Sequence, residues 1–293
     1  MRKVLCLFFL LCLLFLFSRT GRGFTIARIA SDISAACDVS QPLSEKERRE
    51  LLEAFSEPLH YLGSGTQCYA FSSTSGQYVL KFFKMKHLLP KRWLPILPLS
   101  FWKKHRFKEI EQKQINREEL FTSYKIAYEH FRQESALVAL HLSKTCDWHL
   151  PVTLIDKRGK AHCINLDDFE FVVQKKAERL GDYLDTLLEK QERKQAFALI
   201  RSLLAQILLQ CKKGFVDNDS GIFSNYGVIH GEVVHFDSGR FKAEPEACSA
   251  LFCKGMLERA RQRIAVRLKE KDPELLGEVE ELVRRMSDGC GEE

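Results

Sequence analysis

The chain has 293 residues, a formal net charge of +6 and 45% hydrophobic residues. This length and apolar content suffice for one large domain or two smaller units with a hydrophobic core, and they exclude a disordered or collagen-like chain. The mild basic excess does not require a nucleic-acid partner, which makes such a partner unlikely. Ten cysteines at irregular spacings, without a C-x-x-C pair, favour reduced, buried thiols over disulfides or a zinc site.

Residues 1–18 form a candidate signal peptide or membrane anchor. Arg2 and Lys3 precede an unbroken apolar run over residues 4–17, which is shorter than the ~20 residues that a helix needs to cross a bilayer. We expect membrane association through an uncleaved anchor, with secretion after signal cleavage as the alternative. The thiol-rich remainder favours a reducing compartment. Residues 19–56 are expected to be a linker and a short helix, which Ser44 and Glu47 open as a capping box.

A glycine pair and a lysine strand follow. Gly63 and Gly65 predict a tight turn between two strands, with bare backbone N–H groups that can approach phosphates. The apolar segment 78–83 predicts a strand that carries Lys81 at its centre. On these residues alone, an ordinary hairpin with Lys81 in solvent is the simpler interpretation.

Residues 85–113 combine many lysines and arginines with tryptophan and phenylalanine. Three prolines within residues 89–98 exclude one continuous helix through its middle. Basic and aromatic side chains up to residue 108 suit a membrane interface or an anionic partner. A surface insertion solvated by its own charges explains the same composition, and both interpretations stay open.

The middle of the chain alternates helix and strand signals. Apolar residues at helical spacing predict one helix over residues 118–143, with Glu134 on its buried face. A hairpin is expected over residues 152–166 and an apolar strand over residues 169–174. Helices are then expected from residue 181, where Asp182 is the expected cap, and over residues 196–213, closed by a glycine. The last two helices are expected over residues 247–270 and 273–286.

Residues 211–239 concentrate the residue types that carry chemistry. Residues 226–229 and 232–236 predict two strands, and the two-residue turn between them requires antiparallel pairing. Asn225 before the first strand and Asp237 after the second then lie at the same open end. An amide oxygen and a carboxylate form a hard-oxygen site suited to Mg²⁺. Asp219 lies on the preceding loop, where it is placed to meet a substrate hydroxyl.

The glycine pair, the lysine strand and the acidic residues of segment 211–239 resemble, in their order along the chain, the motifs of the protein-kinase-like superfamily. Residues 63–68 are similar to the glycine-rich loop, with Cys68 where the third glycine stands, and Lys81 matches the lysine of V-A-I-K. Residues 215–219 resemble the strand and H-R-D of the catalytic loop, with Asp217 in place of the histidine. The metal-binding asparagine and the D-F-G motif are matched by Asn225 and residues 237–239.

The resemblance implies an α+β, two-lobed protein-kinase-like fold. It places an N-terminal antiparallel sheet lobe at residues 57–174, with residues 85–113 as an insertion, and a mainly helical lobe at residues 175–293. ATP and Mg²⁺ are the implied cofactors. Lys81 would contact the phosphates and Glu134 would hold Lys81, with Glu119 and Glu129 as rivals for that role. The implied sites are Asp219, Lys81 and Asp217 for catalysis, Gly63, Gly65, Lys81, Glu134, Gln174 and Lys176 for the nucleotide, and Asn225 and Asp237 for the metal.

The chain also departs from the superfamily pattern. Asn225 lies one residue further from Asp219 than in D-x-x-x-x-N, Asn218 replaces the arginine, and no A-P-E motif follows. An atypical ATP-dependent phosphotransferase acting on a hydroxyl acceptor is the first hypothesis. A membrane-anchored, pseudokinase-like binding or scaffold protein is the second. In a third, the acids are solvated loop residues of a structural protein that binds no nucleotide.

Overall fold

The computed structural model describes residues 23–31, 43–90, 103–146, 148–217, 219 and 221–291. The candidate leader, the middle of the basic aromatic segment and Asn218 lie outside the described residues. Within the described ranges, no helix is long and apolar enough to cross a membrane.

A seven-stranded sheet forms the first part of the molecule. Its strands are β1 (Leu59–Ser64), β2 (Cys68–Ser72), β3 (Tyr78–Phe83), β4 (Leu137–His141), β5 (Pro151–Ile155), β6 (Ala161–Asn165) and β7 (Phe171–Lys175). They are ordered β4-β7-β3-β2-β1-β5-β6. Neighbouring strands pair antiparallel, as expected, except that β1 and β5 pair in parallel. The chain leaves β4 at one edge of the sheet and returns to the sheet as β5 beside β1, and such a crossover allows β5 to run in the same direction as β1.

Aromatic side chains fill the core on one face of this sheet. The Phe24 ring packs edge-on against that of Phe71 at 4.9 Å between centroids, and Phe71 lies edge-on to Phe82 at 6.2 Å. Helix α1 (Glu45–Ala54) buries Leu51 in the same cluster. The helix begins at Ser44 with the predicted capping box, in which the Ser44 and Glu47 side chains each accept a hydrogen bond from the other's backbone N–H.

Helix α2 (Lys103–His130) covers the opposite face and packs Tyr124 and Phe131 against Phe83 and its neighbours. The predicted helix over residues 118–143 is therefore wrong at both ends, since α2 begins earlier and the chain continues into β4. Every residue of β4 is buried. Without an exposed face the strand shows no alternation of polar and apolar residues, and its apolar run resembles the buried side of a helix.

The second part of the molecule is mainly helical. It contains α3 (Leu180–Glu189), α4 (Arg193–Lys212), α5 (Ile222–Asn225), α6 (Ala250–Leu268) and α7 (Pro273–Asp288). Asp272 caps α7 by accepting a hydrogen bond from Leu275 N–H at 3.0 Å. The expectation that Asp182 caps α3 is wrong, because the N-cap is Arg179, without a side-chain cap.

Five short strands complete the α+β architecture that the sequence predicts. These are β8 (Glu178–Arg179), β9 (Phe215–Asp217), β10 (Tyr226–Ile229), β11 (Glu232–His235) and β12 (Phe241–Ala243). The predicted hairpin is confirmed, since β10 and β11 pair antiparallel. Both turn residues have positive φ, 51° at His230 and 85° at Gly231, as in the type I′ turns that join hairpin strands. β12 pairs with β9, which returns the chain after the hairpin to the strand that precedes it.

Candidate functional site

A cleft of ≈ 680 Å³ lies between the sheet and the helical part. The turn between β1 and β2 and the strand β3 line it from the sheet side, and the residues that flank the β10–β11 hairpin line it from the other. Most of the residues that the sequence singled out meet here. The cleft is lined by Gly63, Gly65, Lys81, Gln174, Lys176, Asp219, Asn225 and Asp237.

The open end of the hairpin brings Asn225 and Asp237 together, as its geometry predicts. The Asn225 carbonyl accepts hydrogen bonds from the backbone N–H groups of Phe236 at 3.0 Å and Asp237 at 3.2 Å. The Asn225 side chain is buried, and its Oδ1 accepts a hydrogen bond from Ser224 Oγ at 3.0 Å. Its Nδ2 has no hydrogen-bond partner among the described residues, so the amide has unused bonding capacity at the cleft.

The donor set at this end fits Mg²⁺ that arrives with a phosphate. Among the described residues, no group of three or more His, Cys, Asp or Glu could hold a metal ion by itself. Protein sites for Mg²⁺ commonly supply one or two carboxylates and leave the remaining positions to substrate phosphates and water. The Asp237 carboxylate and the Asn225 amide oxygen are hard ligands of this kind, and their metal-binding role stays a prediction.

Local hydrogen bonds hold the loop that carries Asp219. Its backbone N–H donates to Asp217 Oδ1 at 2.8 Å, and its own Oδ1 accepts from Gly221 N–H at 3.1 Å. The single turn of α5 follows, in which Asn225 N–H bonds to Gly221 O at 2.8 Å. This turn takes up the extra residue between Asp219 and Asn225, so both side chains still reach the cleft.

Asp217 does not line the cleft, and its catalytic role stays a prediction. Its side chain is buried, and Oδ2 lies 3.0 Å from His235 Nε2. The His235 ring stacks on Tyr226 with 4.2 Å between centroids. Where H-R-D has a histidine, this chain has an aspartate that meets a histidine from another strand. Asp217 therefore positions the loop through the Asp219 N–H.

On the opposite wall, Lys81 reaches across the cleft. Its Nζ donates a hydrogen bond to the Phe236 carbonyl at 2.7 Å and lies 5.3 Å from the centre of the Phe236 ring. Burial lowers the pKa of the Lys81 ammonium, while the Asp237 carboxylate opposes that shift by favouring the charged form. The lysine thus faces the segment that resembles D-F-G.

The expected pairing of Lys81 with Glu134 is not found. Glu134 follows the end of α2 in a turn, where its carbonyl accepts a hydrogen bond from His235 N–H at 2.7 Å. Within the described part of the chain, no ion pair of 4.0 Å or less joins Lys81 to a glutamate. The rivals are also placed elsewhere, because Glu119 pairs with Lys242 at 3.0 Å and Glu129 is exposed.

Helix α2 presents Tyr124 to the cleft instead of a glutamate. Tyr124 is buried beside Cys68, the residue at the third-glycine position. Burial raises the pKa of the Cys68 thiol to about 12, so it stays protonated at neutral pH. In the sequence, Tyr124 continues the apolar face of the helix, which gave no signal of a place in the site.

At the far end of the cleft, one side is an apolar surface of the sheet. The other side is the segment that connects the two parts of the molecule. Gln174 is buried, and its Nε2 donates to Ser135 O at 3.0 Å. The backbone N–H of Lys176 donates to Gln77 O at 2.8 Å, and the Lys176 side chain is exposed. The sheet supplies a facing apolar surface of Leu62, Ala70 and Val79.

Charge favours an anionic ligand, since the cleft is lined by five cationic side chains and three carboxylates. Two of the cationic side chains, Arg179 and Arg240, escaped the sequence analysis. The position of Arg240 directly after the D-x-G segment was the available signal. Arg240 Nε lies 3.6 Å from Asp219 Oδ2.

Comparisons with known proteins give little beyond this geometry. No protein-family profile and no curated protein matches the chain. Similar solved structures include a medium-resolution structure of the bifunctional kinase-methyltransferase WbdD, with a TM-score of 0.33 and 18% identity over 67% of this chain and 34% of that one. A co-crystal structure of WbdD with the kinase inhibitor LY294002 gives a TM-score of 0.34 and 17% identity over 75% of this chain and 45% of that one. The 2.2 Å crystal structure of WbdD gives a TM-score of 0.36 and 16% identity over 76% of this chain and 45% of that one. The chain thus spans less than half of these chains, and the likeness carries no argument about activity.

Proposed function

We propose that this protein is an atypical ATP-dependent phosphotransferase of two-lobed, protein-kinase-like fold that transfers a phosphoryl group to a hydroxyl acceptor in an Mg²⁺-dependent reaction. One observation carries the proposal. A single cleft with a cationic excess brings together Lys81, Asp219, Asn225 and Asp237 from distant parts of the chain. A core does not require this set of residue types, whereas phosphoryl transfer does.

Each residue has a role that follows from its place. Lys81 would exchange the neutral Phe236 carbonyl for the α- and β-phosphates, which are stronger partners for an ammonium. Asn225 and Asp237 would hold Mg²⁺, which neutralises phosphate charge when bound. Asp219 would accept the proton of the acceptor hydroxyl or orient it. Such a site works by positioning and by charge neutralisation rather than by covalent catalysis.

A binding module without catalysis is the second candidate. It is favoured by the absence, among the described residues, of a glutamate within ion-pair distance of Lys81, and by Cys68 at the third-glycine position. In the superfamily pattern that glutamate and lysine must both be in place for turnover. Membrane attachment through residues 1–18 is a further part of the proposal and belongs to either candidate.

Thermal unfolding of the full chain in detergent solution, with and without Mg²⁺-ATP, tests the proposal. A ligand at 100 times its dissociation constant stabilises a protein by ~2.7 kcal/mol, which a melting curve resolves. We expect a shift that requires Mg²⁺ and disappears in Asp237→Asn. Glu232→Gln is the matched control, because Glu232 is an exposed carboxylate at the closed end of the same hairpin.

Turnover separates the two candidates. The phosphotransferase consumes ATP, and Lys81→Ala abolishes that consumption while the unfolding transition remains cooperative. A Mg²⁺-dependent melting shift without ATP consumption would favour the binding module. Absence of any shift with nucleotide would contradict both.

A further inference from the structure

Arg240 stands at the junction of two cavities. It lines the large cleft, and it also lines a smaller cavity of ≈ 400 Å³ on the other side of the D-x-G-like segment. Its guanidinium is the cationic group that approaches Asp219, with 3.6 Å between Nε and Oδ2. The proposed metal residue Asp237 lies only three positions earlier in the chain.

The backbone around Arg240 is fixed on both sides by one serine of helix α2. Ser123 Oγ donates a hydrogen bond to the Ser238 carbonyl at 2.5 Å and accepts one from Phe241 N–H at 2.6 Å. Between them, Gly239 O accepts a hydrogen bond from Gln67 Nε2 at 3.3 Å. The starting point of the Arg240 side chain is therefore held in place, and the motion left to it is rotation about its own side-chain bonds.

The side chain itself is held weakly. A distance of 3.6 Å is beyond a normal hydrogen bond, and the Arg240 and Asp219 side chains are 53% and 33% exposed. Exposed ion pairs of this kind contribute little to the free energy of folding. Asp219 does not need the arginine for its own conformation, because Asp217 and Gly221 already hold it. In the described part of the chain, none of the five N–H donors of Arg240 makes a hydrogen bond.

A planar fork of unused donors beside a hydroxyl-activating carboxylate matches a phosphoryl group, which arginine binds through two parallel hydrogen bonds. We propose that Arg240 leaves Asp219 and binds the γ-phosphoryl group of the nucleotide during transfer. This inference rests on the proposed function. It adds a positive charge at the transferred group that neither Lys81 nor the metal residues supply.

The exchange also frees the proposed base. While Arg240 faces it, Asp219 Oδ2 lies 3.6 Å from the guanidinium Nε. Once the arginine turns to the γ-phosphoryl, Asp219 is free for the acceptor. In the transfer, the bond from the γ-phosphorus to the ADP oxygen breaks and a bond to the acceptor oxygen forms. The hydroxyl proton passes to Asp219, and ADP is the leaving group.

Dissociation constants for Mg²⁺-ATP and Mg²⁺-ADP, measured by calorimetry on the full chain, test this role. Wild-type protein should bind ATP more tightly than ADP, and Arg240→Gln should lose about tenfold in ATP affinity with ADP affinity unchanged. Arg240→Lys keeps the positive charge but lacks the planar fork of donors, and its ATP affinity should lie between those of wild type and Arg240→Gln. Lys242→Gln is the matched control, since Lys242 is an exposed cation two residues away whose partner is Glu119 and which does not line the large cleft.

A second pair of variants tests the exchange itself. Asp219→Asn should tighten ATP binding relative to ADP, because it removes the competing partner of the arginine. In the double variant with Arg240→Gln that gain should vanish, which a double-mutant cycle measures directly. If ATP and ADP bind equally well, or if Arg240→Gln leaves their ratio unchanged, the inference is overturned and the proposed function stands. If the wild-type chain binds neither nucleotide, the proposed function is wrong, and the inference that rests on it is wrong as well.

Discussion

The two walls of the cleft differ in how the chain builds them. The hairpin wall is built from the segment that carries Asp219, Asn225, the β10–β11 hairpin and Asp237, and hydrogen bonds within that segment set its geometry, including the two that the Asn225 carbonyl accepts from Phe236 and Asp237. The sheet wall draws Gly63, Lys81 and Gln174 from three strands far apart in the sequence. Local geometry therefore determines one wall, and the packing of the whole sheet against α2 determines the other.

Lys81 joins the two walls. The superfamily resemblance assigns it a partner on the helix of its own wall, yet its Nζ donates to Phe236 O across the cleft. In this chain, the hydrogen-bond partner of the lysine therefore lies beside the hairpin and not on helix α2. Substitutions that disturb one wall test how far the other wall depends on it.

The largest effect is expected at Gly227 on the hairpin wall. A Cβ there would lie 2.6 Å from Glu178 O, 2.7 Å from Ala177 Cβ and 2.9 Å from Phe236 Cδ1. Gly227→Ala should lower the free energy of unfolding by about 1–3 kcal/mol or more, because the backbone has to move. It should also weaken the Mg²⁺-ATP response through Phe236. Urea unfolding measures the first effect and thermal shift the second.

Gly277→Ala provides the control for that variant. Gly277 lies within α7, and a Cβ there meets nothing within 4 Å, so the substitution should stabilise by about 0.5–1 kcal/mol. A Gly227→Ala protein as stable as wild type would show that the hairpin wall is more adaptable than its short contacts indicate.

An intermediate effect is expected at Asp217, beneath the loop. Asp217→Ala removes the acceptor of the Asp219 N–H and the carboxylate beside His235. Leaving the partly buried Asp219 N–H without its acceptor should cost about 1–3 kcal/mol in urea unfolding. Asp217→Asn, which keeps an acceptor oxygen, should lose less stability and retain the Mg²⁺-ATP response. A stable Asp217→Asn protein without that response would return Asp217 to the site as a residue that touches the ligand.

The smallest effect is expected at Glu134. Its backbone carbonyl makes the contact with His235 N–H, and a side-chain substitution preserves that contact. Glu134→Gln should change the free energy of unfolding by less than about 0.5 kcal/mol and leave nucleotide binding and ATP consumption as in wild type. If Glu134→Gln abolished turnover as Lys81→Ala is expected to do, Glu134 would be a partner of the lysine in the loaded state.

Local signals in the sequence are enough to specify several elements of this protein. These are the capping box at Ser44, the strand around Lys81, the type I′ hairpin and the meeting of Asn225 with Asp237 at its open end. In each case a few neighbouring residues limit the backbone to one arrangement. The α+β class was implied by the resemblance of these segments to the protein-kinase-like superfamily.

The remaining features depend on contacts between residues that are distant in the sequence. β4 is a strand since it pairs with β7, although its buried run shows no strand periodicity. The parallel pairing of β1 with β5, the Asp217 and His235 pair, the place of Tyr124 and the approach of Arg240 to Asp219 arise in the same way. No local pattern of residues specifies which side chain a folded chain will bring to meet another.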